Sequence, residues 1–81
     1  MENSQIKELL EKAFAGDHIK VGGDGYHYQV EIVSDVFNEL SKVKRTQKIY
    51  QVLDQHIQSG ELHALSIKCF TPLEWEDKKN G

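Results

Sequence analysis

Five side chains of this 81-residue chain are soft or borderline metal donors, and they are the first candidates for chemistry. They are His18, His27, His56, His63 and Cys69. No two of them have the close spacing of a self-sufficient zinc site, such as Cys-x-x-Cys or His-x-x-x-His. A complete iron–sulfur cluster needs about four thiolates, and the chain has one cysteine. The spacing and the number of donors therefore allow only a metal site that is shared with another molecule.

The positions of these donors along the chain separate them further. His63 stands at the head of a predicted strand, beside the turn Ser59–Gly60, where it could be either a hydrogen-bonded structural residue or a ligand. His27 alternates with two tyrosines in another predicted strand, which indicates a solvent-side residue. Cys69 lies late in a strand and is predicted to be a small buried hydrophobe rather than a reactive thiol.

A glycine-rich segment, Gly22-Gly23-Asp24-Gly25, fits a bare Gly-x-x-Gly pattern. It lies in a predicted hairpin and not at a helix N-terminus, where backbone N–H groups could hold a phosphate. We therefore predict a flexible turn. If this loop has a function, it would present Asp24 or His27 to a partner.

Four cations are concentrated where a long helix is predicted to begin: Lys42, Lys44, Arg45 and Lys48. Positive charge at this end of a helix is mildly unfavourable against the helix dipole. The cluster therefore suggests contact with a phosphate backbone or an acidic protein surface, with a solvated face as the alternative. No aromatic residue is interleaved with it, which disfavours stacking of single-stranded nucleic acid. The carboxylates are assigned to helix surfaces and caps, and no Ser-His-Asp set is found, so no active site is predicted.

Periodicity predicts the elements that position these residues. Apolar residues from Ile6 to Phe14 recur at helical spacing, which predicts a helix that is capped by Asn3 or Ser4 and ends at Gly16. A hairpin follows, with residues 18–21 and 26–32 as its strands. A short helical turn begins at Ser34 or Asp35, and a longer helix then runs to about Gln58, with Gly60 as its left-handed C-terminal residue.

The last third of the chain reads as a strand that leads into a capped helix. Residues 62–70 are apolar on both parities, which predicts a central strand. Thr71, Pro72 and Glu74 form a Thr-x-x-Glu capping box with proline at the first helical position. Residues 77–81 are predicted to be frayed. The order α-β-β-α-α-β-α predicts one α+β domain over residues 1–81, a three-stranded sheet with its helices packed on one face.

Size and composition limit the class of function. A chain of this length buries about 60% of its unfolded surface, which disfavours an enzyme with a deep pocket and favours a binding module. The net charge of −3 argues against a protein that is one large nucleic-acid surface. A single cysteine and the lack of a long apolar run predict a cytoplasmic protein without internal disulfide, secretory signal or membrane span.

Several stretches together resemble the BolA family, and the likeness covers nearly the whole chain. They are residues 24–30, Ser34-Asp35-x-Phe37, residues 43–50, residues 62–67 and Thr71-Pro72-x-Glu74-Trp75. The short, acid-stress-associated bacterial branch is the most similar. The resemblance implies a class II KH-like fold. Residues 41–44, Ser-Lys-Val-Lys, stand where nucleic-acid-binding KH domains have Gly-x-x-Gly, which disfavours RNA binding of the usual KH type.

For function, the resemblance implies a non-enzymatic adaptor that binds a monothiol glutaredoxin of the Cys-Gly-Phe-Ser type. The two proteins would share a 2Fe–2S cluster, for which the glutaredoxin supplies its cysteine and a glutathione thiol. His63 matches the family's histidine ligand, and the loop between the first two strands would supply a second ligand, either His27 or Asp24, with His27 favoured on ligand chemistry. On its own the chain is expected to be a monomer or a weak homodimer.

The alternative that the family implies is a DNA-binding transcriptional regulator of the stress response. Its DNA contacts would come from the long helix with its basic cluster, Lys42, Lys44, Arg45 and Lys48. The same basic surface could instead dock a glutaredoxin.

Overall fold

The computed structural model describes residues 1–14 and 18–80. Its elements are α1 (Asn3–Ala13), β1 (His18–Gly23), β2 (His27–Val33), a 3-10 turn (Asp35–Phe37), α2 (Lys42–Gln58), β3 (Ala64–Phe70) and α3 (Pro72–Asn80). Strands β1 and β2 form an antiparallel hairpin, β2 and β3 are parallel, and the sheet order is β1-β2-β3. The α+β class and the element order are as predicted.

Helices α1 and α2 cover one face of the sheet and enclose the core. Ile6 and Leu10 of α1 meet Ile49 and Leu53 of α2, and all four side chains are fully buried. The sheet contributes alternate residues of its middle strand, Tyr28, Val30 and Ile32. The buried residues recur at helical spacing in the helices and at every second position in the strand. The sequence predicted both patterns.

Helix α3 lies against the opposite face, near the sheet end at which β3 finishes. The Trp75 ring stacks on His18 with 4.7 Å between ring centroids and contacts Phe70 at 5.5 Å. His18 and Phe70 flank Val33 in register, and this row alternates with the core-facing row of Ile32. The prediction that all helices pack on one face therefore holds for α1 and α2 and is wrong for α3.

Strand β3 is an edge strand, whereas the sequence predicted a central one. Three apolar residues gave the misleading second parity. Leu62 is buried but precedes the strand, Ala64 is its half-buried first residue, and Phe70 is covered by Trp75 of α3. Between them, Ser66 and Lys68 are exposed on that face. β2, which is paired on both sides, is the central strand.

The helix ends agree with the sequence in part. The capping box of α3 is present, since Thr71 Oγ1 accepts from the Glu74 N–H at 3.1 Å and Glu74 Oε1 accepts from the Thr71 N–H at 2.8 Å. α1 is capped by Glu2 instead of Asn3 or Ser4, and the Glu2 N–H donates to Gln5 Oε1 at 2.8 Å. α3 extends to Asn80 and so includes residues 77–80, which were predicted to be frayed. The predicted end of α1 at Gly16, and Gly81, lie outside the described residues.

Candidate metal-ligand site

The topology brings His63 next to the loop between β1 and β2. Because β2 and β3 are parallel and His27 pairs with Ala64, the end of that loop and the residue before β3 meet at one end of the sheet. Asp24, His27 and His63 are all exposed there. The three residues that the sequence proposed as ligands therefore lie at one end of the sheet.

Tyr26 joins the two imidazoles of this end. Its ring lies nearly parallel to His63, with 5.7 Å between centroids and an interplanar angle of 20°. It also meets His27 edge-on at 5.2 Å. The Tyr26 side chain is 63% exposed, so this aromatic cluster faces solvent. The alternating pattern placed Tyr26 in the predicted strand and gave it no role at the site, although an aromatic residue directly after Asp24-Gly25 was the available signal.

Asp24 organises the loop. Its Oδ1 accepts from the backbone N–H groups of His27 and Tyr26, each at 2.9 Å. These hydrogen bonds hold the pKa of the Asp24 carboxyl below its usual range, and the one from His27 has the largest effect. Gly23 is required beside it, because a Cβ there would come within 2.6 Å of the His27 carbonyl oxygen. One carboxylate oxygen of Asp24 is thus already used to shape the turn.

The other two histidines lie elsewhere and have internal partners. His18 Nε2 is 3.2 Å from Glu31 Oε2, and its ring is stacked on Trp75. His56 Nδ1 is 3.3 Å from Glu61 Oε1 at the C-terminal end of α2. Within residues 1–14 and 18–80, no three His, Cys, Asp or Glu side chains come together as a metal site. Any metal held at the His63 end would therefore need donors from a second molecule.

The four cations of the basic cluster do not lie on one exposed surface. Arg45 is only 6% exposed, and its guanidinium donates to Glu74 Oε1 at 2.7 Å and to the Leu40 carbonyl at 3.0 Å. It links α2 to α3, and this internal use argues against Arg45 as part of the predicted binding surface. Lys44 and Lys48 are exposed one helical turn apart, whereas Lys42 lies on another side of α2.

Cys69 lies in a groove between α2 and the edge of β3. The groove has a volume of about 350 Å³ and is also lined by Lys42, Arg45, Ile67 and Phe70, among others. Cys69 is half-buried, and this burial raises the pKa of its thiol to about 11. A thiol that stays protonated at neutral pH is a poor nucleophile and a poor metal ligand. Cys69 was predicted to be a small buried hydrophobe, and it is buried only in part. None of the helices in the described ranges is long and apolar enough to cross a membrane.

Comparison with known proteins gives consistent matches along the chain. The family model of BolA-like proteins matches residues 6–74. The acid stress protein IbaG of Escherichia coli is 41% identical over 83 aligned positions, which cover 100% of this chain and 99% of that protein. The range covered by the family model spans the β1–β2 loop, His63 and the start of α3.

Solved structures show the same fold. The BolA domain of SufE1 from Arabidopsis thaliana superposes with a TM-score of 0.79 at 40% identity, covering 89% of this chain and 93% of that domain. The solution structure of yeast Fra2 gives a TM-score of 0.75 at 31% identity, covering 93% and 84% of the two chains.

Proposed function

This chain belongs to the BolA-like protein family, and on that basis we propose that it is an adaptor that binds a monothiol glutaredoxin and shares a 2Fe–2S cluster with it. BolA-like proteins are generally regulators or adaptors without enzymatic activity. Its role would be in iron–sulfur trafficking or in the response to iron or acid stress, and the name of the E. coli relative supports the acid-stress role.

The observation that carries the proposal is the position of His63. It is exposed immediately before β3, beside an exposed loop that contains a second imidazole, and both rings contact Tyr26. A surface end of a sheet is accessible to a second protein, as a shared site requires. The donor chemistry also fits, because two histidines replace two thiolates on one iron in Rieske centres.

His27 is favoured over Asp24 as the second ligand. Oδ1 of Asp24 already accepts two backbone hydrogen bonds, and ligation through this oxygen would break the turn that presents His27. The His27 backbone is held by the same turn, while its ring is exposed. When bound, a cluster with imidazole ligands has a higher reduction potential than one with thiolates alone.

An anaerobic reconstitution tests the proposal. The protein is mixed with a Cys-Gly-Phe-Ser glutaredoxin, glutathione, iron and sulfide, and visible circular dichroism is recorded. We expect a spectrum that differs from that of the glutaredoxin alone and is lost in His63→Ala. His27→Ala should change the spectrum strongly, and Asp24→Asn should change it less, because an amide oxygen can still accept the turn hydrogen bonds.

His56→Ala is the matched control, since it removes an imidazole that already contacts Glu61 and should leave the spectrum unchanged. Identical spectra with and without this protein would exclude a shared cluster. A spectrum that survives in His63→Ala but disappears in His56→Ala would show that His56, and not His63, is the ligand.

The second candidate function is DNA binding, and the exposure of Lys44 and Lys48 on one side of α2 favours it. The burial of Arg45 weakens it, because fewer cations remain to contact phosphates. Replacing both lysines by alanine should lower affinity for duplex DNA and reduce the slope of log K against log salt by about 2. A slope that does not change would remove these residues from any DNA interface.

A further inference from the structure

The outer edge of β3 is unpaired along the described chain. β3 pairs only with β2, and its other side borders the groove below α2. Exposed strand edges present backbone N–H and C=O groups to solvent and are sites at which a further strand can add. β3 is seven residues long, which is enough for several such hydrogen bonds.

The identity of the outward-facing groups follows from one hydrogen bond. The Phe70 carbonyl accepts from the Ser34 N–H at 3.1 Å, on the side of β2. The N–H and C=O of one strand residue point to the same side, and successive residues alternate. Ser66 and Lys68 therefore pair towards β2, as Phe70 does, whereas Leu65, Ile67 and Cys69 direct their N–H and C=O groups outward.

The two sides of this edge differ in chemistry. Towards α2, the groove offers the apolar side chains of Ile67 and Cys69, with Lys42 at its rim. On the opposite face, Lys68 is exposed. Arg45 and Glu74 also line the groove, but they form an ion pair with each other at 2.7 Å.

Glu31 pairs in register with Lys68 and shares its face. Its carboxylate already contacts His18 at 3.2 Å and Lys78 at 3.4 Å. The uncommitted charge beside this edge is therefore positive on both sides.

We propose that the outer edge of β3 binds an extended, acidic segment of a partner protein as a fourth strand. Alternate side chains of such a segment point to opposite faces. Apolar residues would enter the groove beside Ile67 and Cys69, and carboxylates would lie next to Lys68, with a further one reaching Lys42. The predicted recognition signature is a segment of about seven residues in which apolar and acidic residues alternate.

Charge selects this occupant over a second copy of the chain. Two β3 edges related by a two-fold axis would pair antiparallel and bring both Lys68 side chains onto one face of the joined sheet. Like charges in neighbouring cross-strand positions are unfavourable. This edge is distinct from the His63 site, which lies before the strand, so the proposal does not depend on cluster binding.

Amide hydrogen exchange, followed by NMR on the intact labelled protein, tests the proposal. The probe is an acetylated and amidated heptapeptide of alternating valine and glutamate. We expect the amides of Leu65, Ile67 and Cys69 to exchange at least about tenfold more slowly with the peptide bound. The amides of Ser66 and Lys68, which are already paired with β2, should change little. This alternation is specific to strand addition.

Controls separate strand pairing from general attraction. Lys68→Glu should raise the Kd of the peptide by about tenfold, since an attraction becomes a repulsion. Lys7→Glu makes the same charge change on an exposed position of α1 and should have little effect. A peptide of the same charge with N-methylated backbone amides should not protect the three amides. Equal protection of odd and even residues, or none, would refute strand addition.

Two further arms test other occupants. If alternating protection rises with protein concentration without peptide, the edge pairs with a second copy and the proposal is wrong. If a single-stranded oligonucleotide shifts the NMR signals of the same amides at a lower concentration than the peptide does, the lysines bind nucleic acid. The proposal is then also overturned.

Discussion

The two ends of β3 have opposite characters. Before its first residue stands exposed His63, whose aromatic neighbour Tyr26 is exposed too. After its last residue, Thr71 and Arg45 are buried, and Glu74 is hydrogen-bonded to both of them. The first end thus exposes its polar rings to solvent, whereas the polar groups of the second end form hydrogen bonds with one another. Polar side chains occur at both ends. What distinguishes the candidate binding end is that its polar side chains are exposed, whereas those of the structural end are hydrogen-bonded within the protein.

The largest effect should come from Arg45→Ala at the structural end. The change removes the hydrogen bonds to Glu74 and to the Leu40 carbonyl, and it empties space between α2 and α3. Because Glu74 is still partly exposed, we expect a loss of about 2–3 kcal/mol in the free energy of unfolding, measured by urea titration.

Lys48→Ala, which removes an exposed cation from the same helix, is the matched control and should change stability by less than about 0.5 kcal/mol. The glutaredoxin-dependent spectrum should persist in folded Arg45→Ala protein. A stability loss of equal size in both variants would contradict the structural role of Arg45.

A smaller effect is expected from acid. Hydrogen bonds from the Thr71 backbone and from Arg45 hold the pKa of Glu74 below its ordinary value of 4.5. The folded state therefore binds this proton less readily than the unfolded state. The stabilisation is complete above pH 4.5 and is lost as the pH falls through the folded pKa. After allowance for the exposure of Glu74, the loss should be about 1 kcal/mol.

Other carboxylates titrate in the same range. The informative quantity is therefore the difference in the free energy of unfolding between the wild type and Arg45→Ala. Urea titrations of the wild type and of Arg45→Ala from pH 6 to pH 3 should converge, with the stability gap narrowing as Glu74 becomes protonated. A gap that is independent of pH would mean that the ion pair contributes nothing beyond packing.

The smallest effect on stability should come from the candidate binding end. Tyr26→Ala removes a ring that is 63% exposed, so we expect a change of less than about 0.5 kcal/mol in the free energy of unfolding. Tyr26 nevertheless contacts both imidazoles and should position them. The variant is expected to alter the circular dichroism of the shared cluster.

Tyr26→Phe keeps the ring and should keep the wild-type spectrum, because stacking, and not the hydroxyl, makes the contact with His63. If Tyr26→Ala destabilised the protein as strongly as Arg45→Ala, the contrast between the two ends of β3 would not hold.

Much of the fold was predictable from short-range patterns. Helical spacing gave α1 and α2, alternation and glycines gave the hairpin, and the Thr-x-x-Glu box gave the start of α3. Each of these depends on residues that are close in sequence and whose geometry is set by local hydrogen bonds and side-chain direction. The position of His63 at the head of a strand made it a candidate but left open a structural role, and the family resemblance favoured the ligand role.

The sequence by itself therefore determined the elements, their order and the type of donors available. Only the tertiary structure decided that β3 lies at an edge, that α3 crosses to the other face and that Arg45 is internal. It also decided that Tyr26 meets both His27 and His63. These outcomes depend on the parallel pairing of β3 with β2 and on which apolar surfaces cover one another. Such long-range contacts join residues far apart in the chain, and no local pattern encodes them.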